Sequence, residues 1–329
     1  MKKLTRKLGI LALSIGVTLS SATIVSAEKL TVRLDFSPWG VHGAMHLAQQ
    51  KGWFDDAGLD LEIQDGKGTS NTIQLVGTGQ VDVGQVQLGL MALARENGLP
   101  LKSFAGWARR SDMAVLVAED SGISSVKDLK DRKLVTFTAS PWVPYIDSFF
   151  ENGGITRDDV SVLMVAPPSM VSTYVAGEVD GFMTVGPFGA PLVAGSRPAK
   201  QILMAEYGVA FPSYGLIAQE DTIASRKDDL SKLAAIQQKA WNYIFDGHVD
   251  EAVEAIIAAR PDNKLKPEVL KGQIEAYREF FDTERTKGMP FGIQSAADWA
   301  EALASMEKAG IIAPGQKPES FFTNDLLPN

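Results

Sequence analysis

The sequence predicts an α/β protein of two lobes, each a doubly wound sheet flanked by helices, joined by a two-crossing hinge. Short strand patterns alternate with helix patterns up to about residue 212, as in other α/β proteins. The pattern Ser-Pro-Trp, Gly-Leu or Gly-Ile, then Val-Asp occurs twice in the same order, at offsets of 96 to 103 residues. The chain has 329 residues, 45% of them hydrophobic, which is enough for two lobes.

The first lobe is predicted to start with residues 28–118. Its strands are runs of β-branched and apolar residues, and its helices are stretches of apolar residues that end at glycines. The predicted strands are Leu30–Phe36, Leu59–Ile63 and Val81–Val86, and the predicted helices are Val41–Lys51, before Gly52, and Ser70–Val76, before Gly77.

The second lobe is predicted to occupy residues 119–212 and to repeat this order. A helix that ends at Gly153-Gly154 takes the place of the helix that ends at Gly52. The predicted strands are Lys133–Thr138, Val160–Val165 and Gly181–Val185, and the predicted helices are Pro141–Asn152 and Ser169–Val175.

Residues 213–329 are predicted to complete the first lobe with one strand and then helices. Ser225 and Asp228 have the spacing of a capping box at a helix start. The second lobe is then an insertion, with crossings expected at residues 117–121 and 211–215, and such a hinge lets two lobes close on a ligand. The predicted elements are the strand Gly215–Gln219 and the helices Leu230–Phe245, Val249–Ala259, Pro267–Phe281 and Ala296–Ala309.

Residues 1–27 are predicted to be a cleaved signal peptide. A basic segment ends at Lys7, an uncharged stretch runs from Leu8 to Ala27, and Val25 and Ala27 are small residues before the expected cut. A membrane anchor is the alternative, because 20 uncharged residues can span a bilayer, but serines and threonines crowd this stretch. No Cys follows the cut to carry a lipid, so the expected location is free in a periplasm.

Composition excludes several classes of protein. The formal net charge is −8, from 32 basic and 40 acidic residues, and this balance disfavours general nucleic-acid binding. The absence of Cys excludes a disulfide framework, and the hydrophobic content excludes a disordered chain.

A ligand site is predicted between the lobes, because ligands of open α/β sheets bind outside the carboxyl ends of the strands. Strand ends and helix starts place polar and aromatic residues there. The candidate ligand-binding residues are Asp35, Phe36, Trp39, His42, Thr69, Ser70, Asn71, Gln87 and Trp107 in the first lobe, and Thr138, Ser140, Trp142, Tyr145, Thr184 and Phe188 in the second.

Several of these residues also have a purely structural interpretation. Trp39 and Trp142 stand near the start of a helix, where an aromatic residue is often a core anchor. Ser140 followed by Pro141 is a sound helix N-cap and first helical residue on structural grounds alone. Asp35 can cap the turn into its helix or accept hydrogen bonds from a ligand amine. The sequence leaves both interpretations open.

No catalytic, metal or cofactor motif is found. His42 and His46 are four residues apart and could share a helix face as a metal pair, but no HExxH pattern and no third ligand are present. Gly66-Lys67-Gly68-Thr69 lacks the spacing of a phosphate-binding loop, and no GxSxG elbow occurs. We therefore predict a binding protein without catalytic residues, metal or cofactor.

Three segments resemble the opening of the NMT1/THI5-like group of periplasmic binding proteins: residues 34–39 (LDFSPW), 51–54 (KGWF) and 57–63 (AGLDLEI). Residues 75–84 and 125–129 are also similar to that group, so the likeness covers nearly all of the chain after residue 27. The resemblance implies a type II periplasmic-binding-protein clamshell. It also implies a solute receptor that delivers its ligand to an ABC permease.

Members of this group bind thiamine-precursor pyrimidines, aliphatic sulfonates, taurine or small aromatic acids. The first strand most resembles the pyrimidine-binding branch, so the expected ligand is a small flat pyrimidine-like or other aromatic heterocycle stacked between the lobes. A sulfonate, taurine or an aromatic acid is the alternative, and a sulfonate would be held at helix N-termini. The least favoured alternative is the branch that synthesises the pyrimidine, which relies on a cysteine-rich motif that this chain lacks. The expected partners are the solute and the permease, with no nucleic acid, and the expected state is a monomer.

Overall fold

A computed structural model describes residues 29–328, so the predicted signal peptide lies outside the described residues. The strands within this range are β1 Leu30–Leu34, β2 Leu61–Gln64, β3 Val83–Gln87, β4 Leu101–Gly106, β5 Met113–Ala118, β6 Lys133–Thr136, β7 Ser161–Met164, β8 Gly181–Val185, β9 Ala199–Leu203 and β10 Tyr214–Gln219. The α-helices are α1 Gly43–Gln50, α2 Trp53–Asp56, α3 Thr69–Gly77, α4 Leu88–Glu96, α5 Ile146–Asn152, α6 Pro167–Val175, α7 Gly186–Val193, α8 Glu220–Ser225, α9 Lys227–Phe245, α10 Val249–Ala259, α11 Pro267–Tyr277 and α12 Ala296–Lys308.

The first lobe is built on a five-stranded sheet with the order β2-β1-β3-β10-β4. β1 is parallel to β2 and β3, with Val32 opposite Ile63 on one side and Val83 on the other. β10 is antiparallel to β3 and β4 and returns to the first lobe after the whole second lobe has been built. The carboxyl ends of β1 and β3 therefore meet at one edge, the position where α/β sheets bind ligands.

The second lobe repeats this arrangement with the order β7-β6-β8-β5-β9. β6 is parallel to β7 and β8, and β5 is antiparallel to β8 and β9. β5 thus occupies in this sheet the place that β10 occupies in the first. The predicted α/β class with two doubly wound lobes is confirmed, and the repeated sequence pattern corresponds to two sheets of the same strand order.

The chain crosses between the lobes at residues 107–112 and 204–213. The first crossing comes earlier than the sequence analysis placed it, because residues 113–118 form β5 and pair within the second sheet. The sequence MAVLVA is apolar at every position and buried on both faces, so it lacks the alternation that identifies a half-exposed strand.

The C-terminal helices pack mainly on the first lobe, where α1 lies against α9 and α10. The predicted N-cap at Ser225 is wrong. Ser225 is the last residue of α8, and its hydroxyl donates to the carbonyl of Asp221 at 2.8 Å. α9 begins two residues later, at Lys227. Within residues 29–328 no helix is both long and apolar enough to cross a membrane.

Candidate ligand-binding site

A cavity, partly open to solvent, lies between the carboxyl ends of the two sheets. Both lobes contribute to its wall, which is mostly aromatic and aliphatic. The lining residues are Asp35, Phe36, Trp39, Gly68, Thr69 and Tyr214 from the first lobe and Phe137, Ala139, Ser140, Pro141, Pro167, Met170, Val171, Thr184, Val185 and Phe188 from the second.

Asp35 is the only lining residue with a charged side chain, and it is 4% exposed. Its Oδ1 lies 2.8 Å from Nε2 of His42 and accepts a longer bond, 3.4 Å, from the indole of Trp39. Its Oδ2 accepts from the hydroxyl of Tyr214 and, at 3.5 Å, from that of Thr69. Burial raises the pKa of Tyr214 well above its ordinary value, so this phenol stays a donor.

His42 orients Asp35 from behind the cavity wall. The backbone N–H of Trp39 donates to Nδ1 of His42 at 3.3 Å, which places the ring proton on Nε2, facing the carboxylate. His42 is fully buried and lies outside the cavity lining. Both of its ring nitrogens are engaged, so His42 has no free nitrogen with which to share a metal with His46. No cluster of three or more metal-ligating side chains exists within the described range 29–328.

Aromatic rings from both lobes meet across the cavity. The ring of Phe36 lies 6.0 Å from those of Phe137 and Phe188, centroid to centroid. The ring of Trp39 lies 5.2 Å from that of Phe188, edge to face, at an interplanar angle of 84°. The lobes are therefore in contact around the cavity, in a closed arrangement whose walls suit a flat, apolar-faced molecule.

The loop after β2 lies directly on the end of β1. The backbone N–H groups of Gly66 and Gly68 donate to the carbonyls of Phe36 and Asp35, at 3.0 and 2.8 Å. A Cβ at Gly66 would lie 2.1 Å from the carbonyl oxygen of Leu34, so only glycine fits. Gly68 has a φ of 119°, and a Cβ there would lie 3.2 Å from Ala139 of the other lobe. These glycines let α3 begin with Thr69 in the cavity wall.

Three helices begin at the cavity, but two of them offer few N–H donors for an anion. α6 starts with Pro167 and Pro168, which have no N–H. In α7, Pro187 has none either, and the N–H of Gly186 already donates to the carbonyl of Asp112 at 2.8 Å. The remaining helix start is that of α3 at Thr69. The cavity therefore has one carboxylate, no basic side chain in its lining and a reduced set of backbone donors.

Seven of the residues that the sequence singled out line this cavity, and eight do not. Those in the wall are Asp35, Phe36, Trp39, Thr69, Ser140, Thr184 and Phe188. The eight outside the wall are His42, Ser70, Asn71, Gln87, Trp107, Thr138, Trp142 and Tyr145. The ligand-binding role of the seven stays a prediction.

The aromatic residues outside the wall are core residues. Trp142 is fully buried, its indole donates to the carbonyl of Thr184 at 2.8 Å, and its ring packs on Phe149. Trp107 is fully buried in the first lobe's core. Tyr145 packs on Phe211, and burial raises its pKa far above the ordinary value. Each lies one layer behind the cavity because its backbone position points the side chain into the lobe.

The polar residues outside the wall are placed elsewhere. Ser70 borders a separate groove between α3 and α4, and Asn71 is exposed and accepts from Arg33 at 3.5 Å. Gln87 is buried and donates to Asp112 at 2.9 Å. Thr138 is exposed beside the cavity.

Sequence reasoning missed several wall residues, above all Tyr214 and Phe137. Tyr214 starts β10, which the sequence analysis began one residue later, at Gly215. Phe137 is the residue next to the Thr138 that was selected at the end of β6. Side chains alternate between the two faces of a strand, and following this alternation to the ends of β10 and β6 could have identified Tyr214 and Phe137.

Two doubly wound lobes around an interlobe cavity define the class of periplasmic-binding-protein folds. A structure of this class, the alkanesulfonate-binding protein of Xanthomonas axonopodis pv. citri bound to MOPS, is similar with a TM-score of 0.64 and 15% identity, over 91% of this chain and 98% of that one. The chain belongs to the NMT1/THI5 like family, whose model matches residues 39–251.

Two fungal relatives carry the same name, 4-amino-5-hydroxymethyl-2-methylpyrimidine phosphate synthase. The protein from Saccharomyces cerevisiae is 32% identical over 157 residues, 47% of this chain and 46% of that protein, so the match spans about half of its length. The protein from Aspergillus parasiticus is 23% identical over 328 residues, 92% of this chain and 88% of that protein. These matches show a shared family, and the activity in their names is that of the fungal proteins.

Proposed function

We propose that this protein is the extracytoplasmic solute-binding receptor of an ABC importer, and that it captures a small flat aromatic heterocycle bearing an amino group, such as a thiamine-precursor pyrimidine. One observation carries the proposal: a single buried carboxylate, Asp35, lies in the wall of a cavity that is mostly aromatic and aliphatic. The rings of Phe36, Trp39 and Phe188 stack on or against the heterocycle, and its amino group donates to Asp35.

A small sulfonate or taurine is the second candidate, supported by the start of α3 at Thr69 in the cavity wall. The prolines of α6 and α7 and the nearby carboxylate count against it, since an anion beside Asp35 has few donors to offset the repulsion. Synthesis of the pyrimidine is the third candidate function, and it is suggested by the name of the fungal relatives. The sequence, which has no Cys, lacks the motif associated with that activity.

The mechanism that we propose is binding without covalent chemistry. The solute enters the open cleft, the aromatic rings of both lobes enclose it, and the lobes close about the crossings at residues 107–112 and 204–213. The closed form then docks on the permease, whose partner subunits hydrolyse ATP. No catalytic residue, metal or cofactor of this chain takes part, and we expect the receptor to act as a monomer.

The test is a calorimetric and thermal-shift screen of residues 28–329. The probes are 4-amino-5-hydroxymethyl-2-methylpyrimidine, the same ring without its amino group, taurine, ethanesulfonate and benzoate. We expect the aminopyrimidine to bind best, and at 100 times its dissociation constant to add about 2.7 kcal/mol to the free energy of unfolding.

Asp35→Asn supplies the matched variant, because it keeps the shape of the side chain and removes its charge. We expect it to weaken the aminopyrimidine at least tenfold and to leave the ring without the amino group nearly unaffected, since a hydrogen bond to a charged partner contributes roughly 1.5–3 kcal/mol. Tighter binding of a sulfonate by the wild type would select the second candidate. Turnover of any bound probe would select an enzyme.

A further inference from the structure

α11 is one of the elements packed on the first lobe that touch the second lobe away from the cavity wall. A Cβ at Gly272 would lie 3.2 Å from the Cβ of Pro191 in α7. Nε2 of Gln273 donates to the carbonyl of Phe188 at 3.0 Å. The hydroxyl of Tyr277 donates to Oδ2 of Asp112. Two polar contacts and one close approach thus connect this helix to the other lobe.

Asp112, the last residue of the first crossing, is bonded to the second lobe through its backbone and to the first lobe through its side chain. Its carbonyl accepts from the N–H of Gly186 at 2.8 Å, beside the pair Met113–Val185 of β5 and β8. Its carboxylate accepts from Gln87, at the end of β3, and from Tyr277. The residue is fully buried, so the bonds of its carboxylate to the first lobe cannot be exchanged for water while the lobes stay together.

Gln273 connects the lobes in the same way. Its Oε1 accepts from the backbone N–H of Gly40 at 2.9 Å, within the first lobe, while its Nε2 donates to Phe188 in the second. Gln273 and Tyr277 are four residues apart and share one face of α11. Both are next to the cavity wall: Gly40 follows Trp39, and the rings of Tyr277 and Trp39 are 5.4 Å apart.

We propose that Gln273 and Tyr277 form an interlobe latch, which holds the closed arrangement and sets ligand affinity without contact with the ligand. Opening the cleft moves α7, and the end of the first crossing that is bonded to the second lobe, away from α11, so we expect these hydrogen bonds to exist only while the lobes are together. A latch that raises the closed population raises apparent affinity by the same factor, because only the closed form retains the solute. The effect on affinity rests on the proposed function, whereas the effect on closure does not.

Closure is measured without ligand, by the rate of disulfide formation between cysteines introduced as Gly272→Cys and Pro191→Cys. Their Cβ positions are near the separation of a disulfide, and the chain has no other Cys. The rate follows the population in which α11 touches α7, even where that population is small. We expect Tyr277→Phe to slow it about threefold to tenfold, the effect of one or two lost hydrogen bonds.

Affinity is measured in parallel, with 4-amino-5-hydroxymethyl-2-methylpyrimidine and no introduced cysteines. We expect Tyr277→Phe and Gln273→Leu each to weaken binding about threefold to tenfold through faster dissociation, with association unchanged. The matched control is Tyr174→Phe, which deletes a buried hydroxyl of the second lobe that makes no hydrogen bond in the described part of the chain. It should change neither the disulfide rate nor the affinity.

The outcomes separate the latch from the proposed ligand. A slower disulfide rate in Tyr277→Phe supports the latch even if no pyrimidine binds, in which case the proposed ligand is wrong. A wild-type disulfide rate overturns the latch, whichever ligand binds. The latch is also overturned if the variants lose free energy of unfolding in urea while closure and affinity stay unchanged. That result would mean that Tyr277 and Gln273 only stabilise the fold.

Discussion

Trp39 and Trp142 follow the same Ser-Pro motif, but their side chains have different roles. Trp39 lines the cavity and packs edge to face on Phe188 of the other lobe. Trp142 is fully buried within its own lobe, where its indole N–H pairs with the carbonyl of Thr184. Both motifs lead through a turn of 3-10 helix into an α-helix, but Trp39 has an extended backbone, with φ −155° and ψ 177°. At the second, Trp142 itself has helical dihedral angles, which turn its ring inward.

Core residues and wall residues should therefore respond differently to substitution: a change in the core lowers stability, whereas a change in the wall lowers ligand affinity. Trp142→Ala should lower the free energy of unfolding by about 3–5 kcal/mol, because it empties a core site and removes the hydrogen bond from the indole to the carbonyl of Thr184. Phe188→Leu changes a half-buried wall residue, so it should weaken an aromatic ligand about threefold to tenfold with little loss of stability. Urea unfolding and calorimetry measure the two quantities. Loss of affinity in a fully folded Trp142→Ala protein would return this residue to the binding site.

At the scale of the element, α1 is buried along almost its whole length and carries a histidine with no hydrogen-bond partner. His46 is 1% exposed, and neither of its ring nitrogens is paired within residues 29–328. Burial lowers the pKa of His46 to about 3, and the nearby His42 and Arg260 act in the same direction. A charged imidazole therefore cannot form in the folded helix at ordinary acidity.

The lowered pKa predicts how stability depends on pH. The unfolded chain protonates His46 below about pH 6.5, whereas the folded chain does so only near pH 3. Stability from this group is complete above pH 6.5 and falls by about 1.4 kcal/mol per pH unit as the pH drops toward 3. His46→Leu should remove this part of the slope in urea unfolding from pH 7 to pH 4. If the variant's unfolding free energy depended on pH as steeply as that of the wild type, His46 would already be protonated in the folded state over this pH range, and the prediction would be wrong.

At the scale of the whole molecule, the second lobe is an insertion between β4 and β10, and the two crossings lie side by side. The first lobe is completed only when β10 pairs between β3 and β4. The two lobes can then rotate about these two segments while each sheet stays intact. This architecture allows the lobe closure that the proposed receptor function requires.

A receptor of this kind must be exported to meet its solute, so we predict that osmotic shock releases the protein without detergent. Its N-terminus should be Glu28, because the signal-peptide pattern ends at Ala27. Intact-mass spectrometry of the released protein measures this directly. The matched variant is Ala27→Leu, which should block the cut because it replaces the small residue before the cleavage point with a large one. Retention of residues 1–27 by a protein found in the membrane pellet would contradict export with cleavage.

Much of the fold could be predicted from local patterns. β8 and α10 lie where the sequence analysis placed them, and the end of α5 before Gly153 agrees as well. The elements that were missed lack the usual local pattern of a strand or a helix. β5 is a continuous apolar run, and α7 contains Pro187 and Pro191, which count against a helix when the sequence is considered alone.

The sequence by itself determined the α/β class, the two repeated units and the strand ends that carry Asp35, Thr69 and Phe188, because hydrophobic periodicity and glycine punctuation are local properties. Only the tertiary structure decided which side chains share the cavity. Tyr214 reaches Asp35 across 179 residues of sequence, and Tyr277 reaches Asp112 across 165. Such contacts depend on how sheets twist and lobes pack, and a side chain's place in the wall or one layer behind it depends on a single turn of backbone.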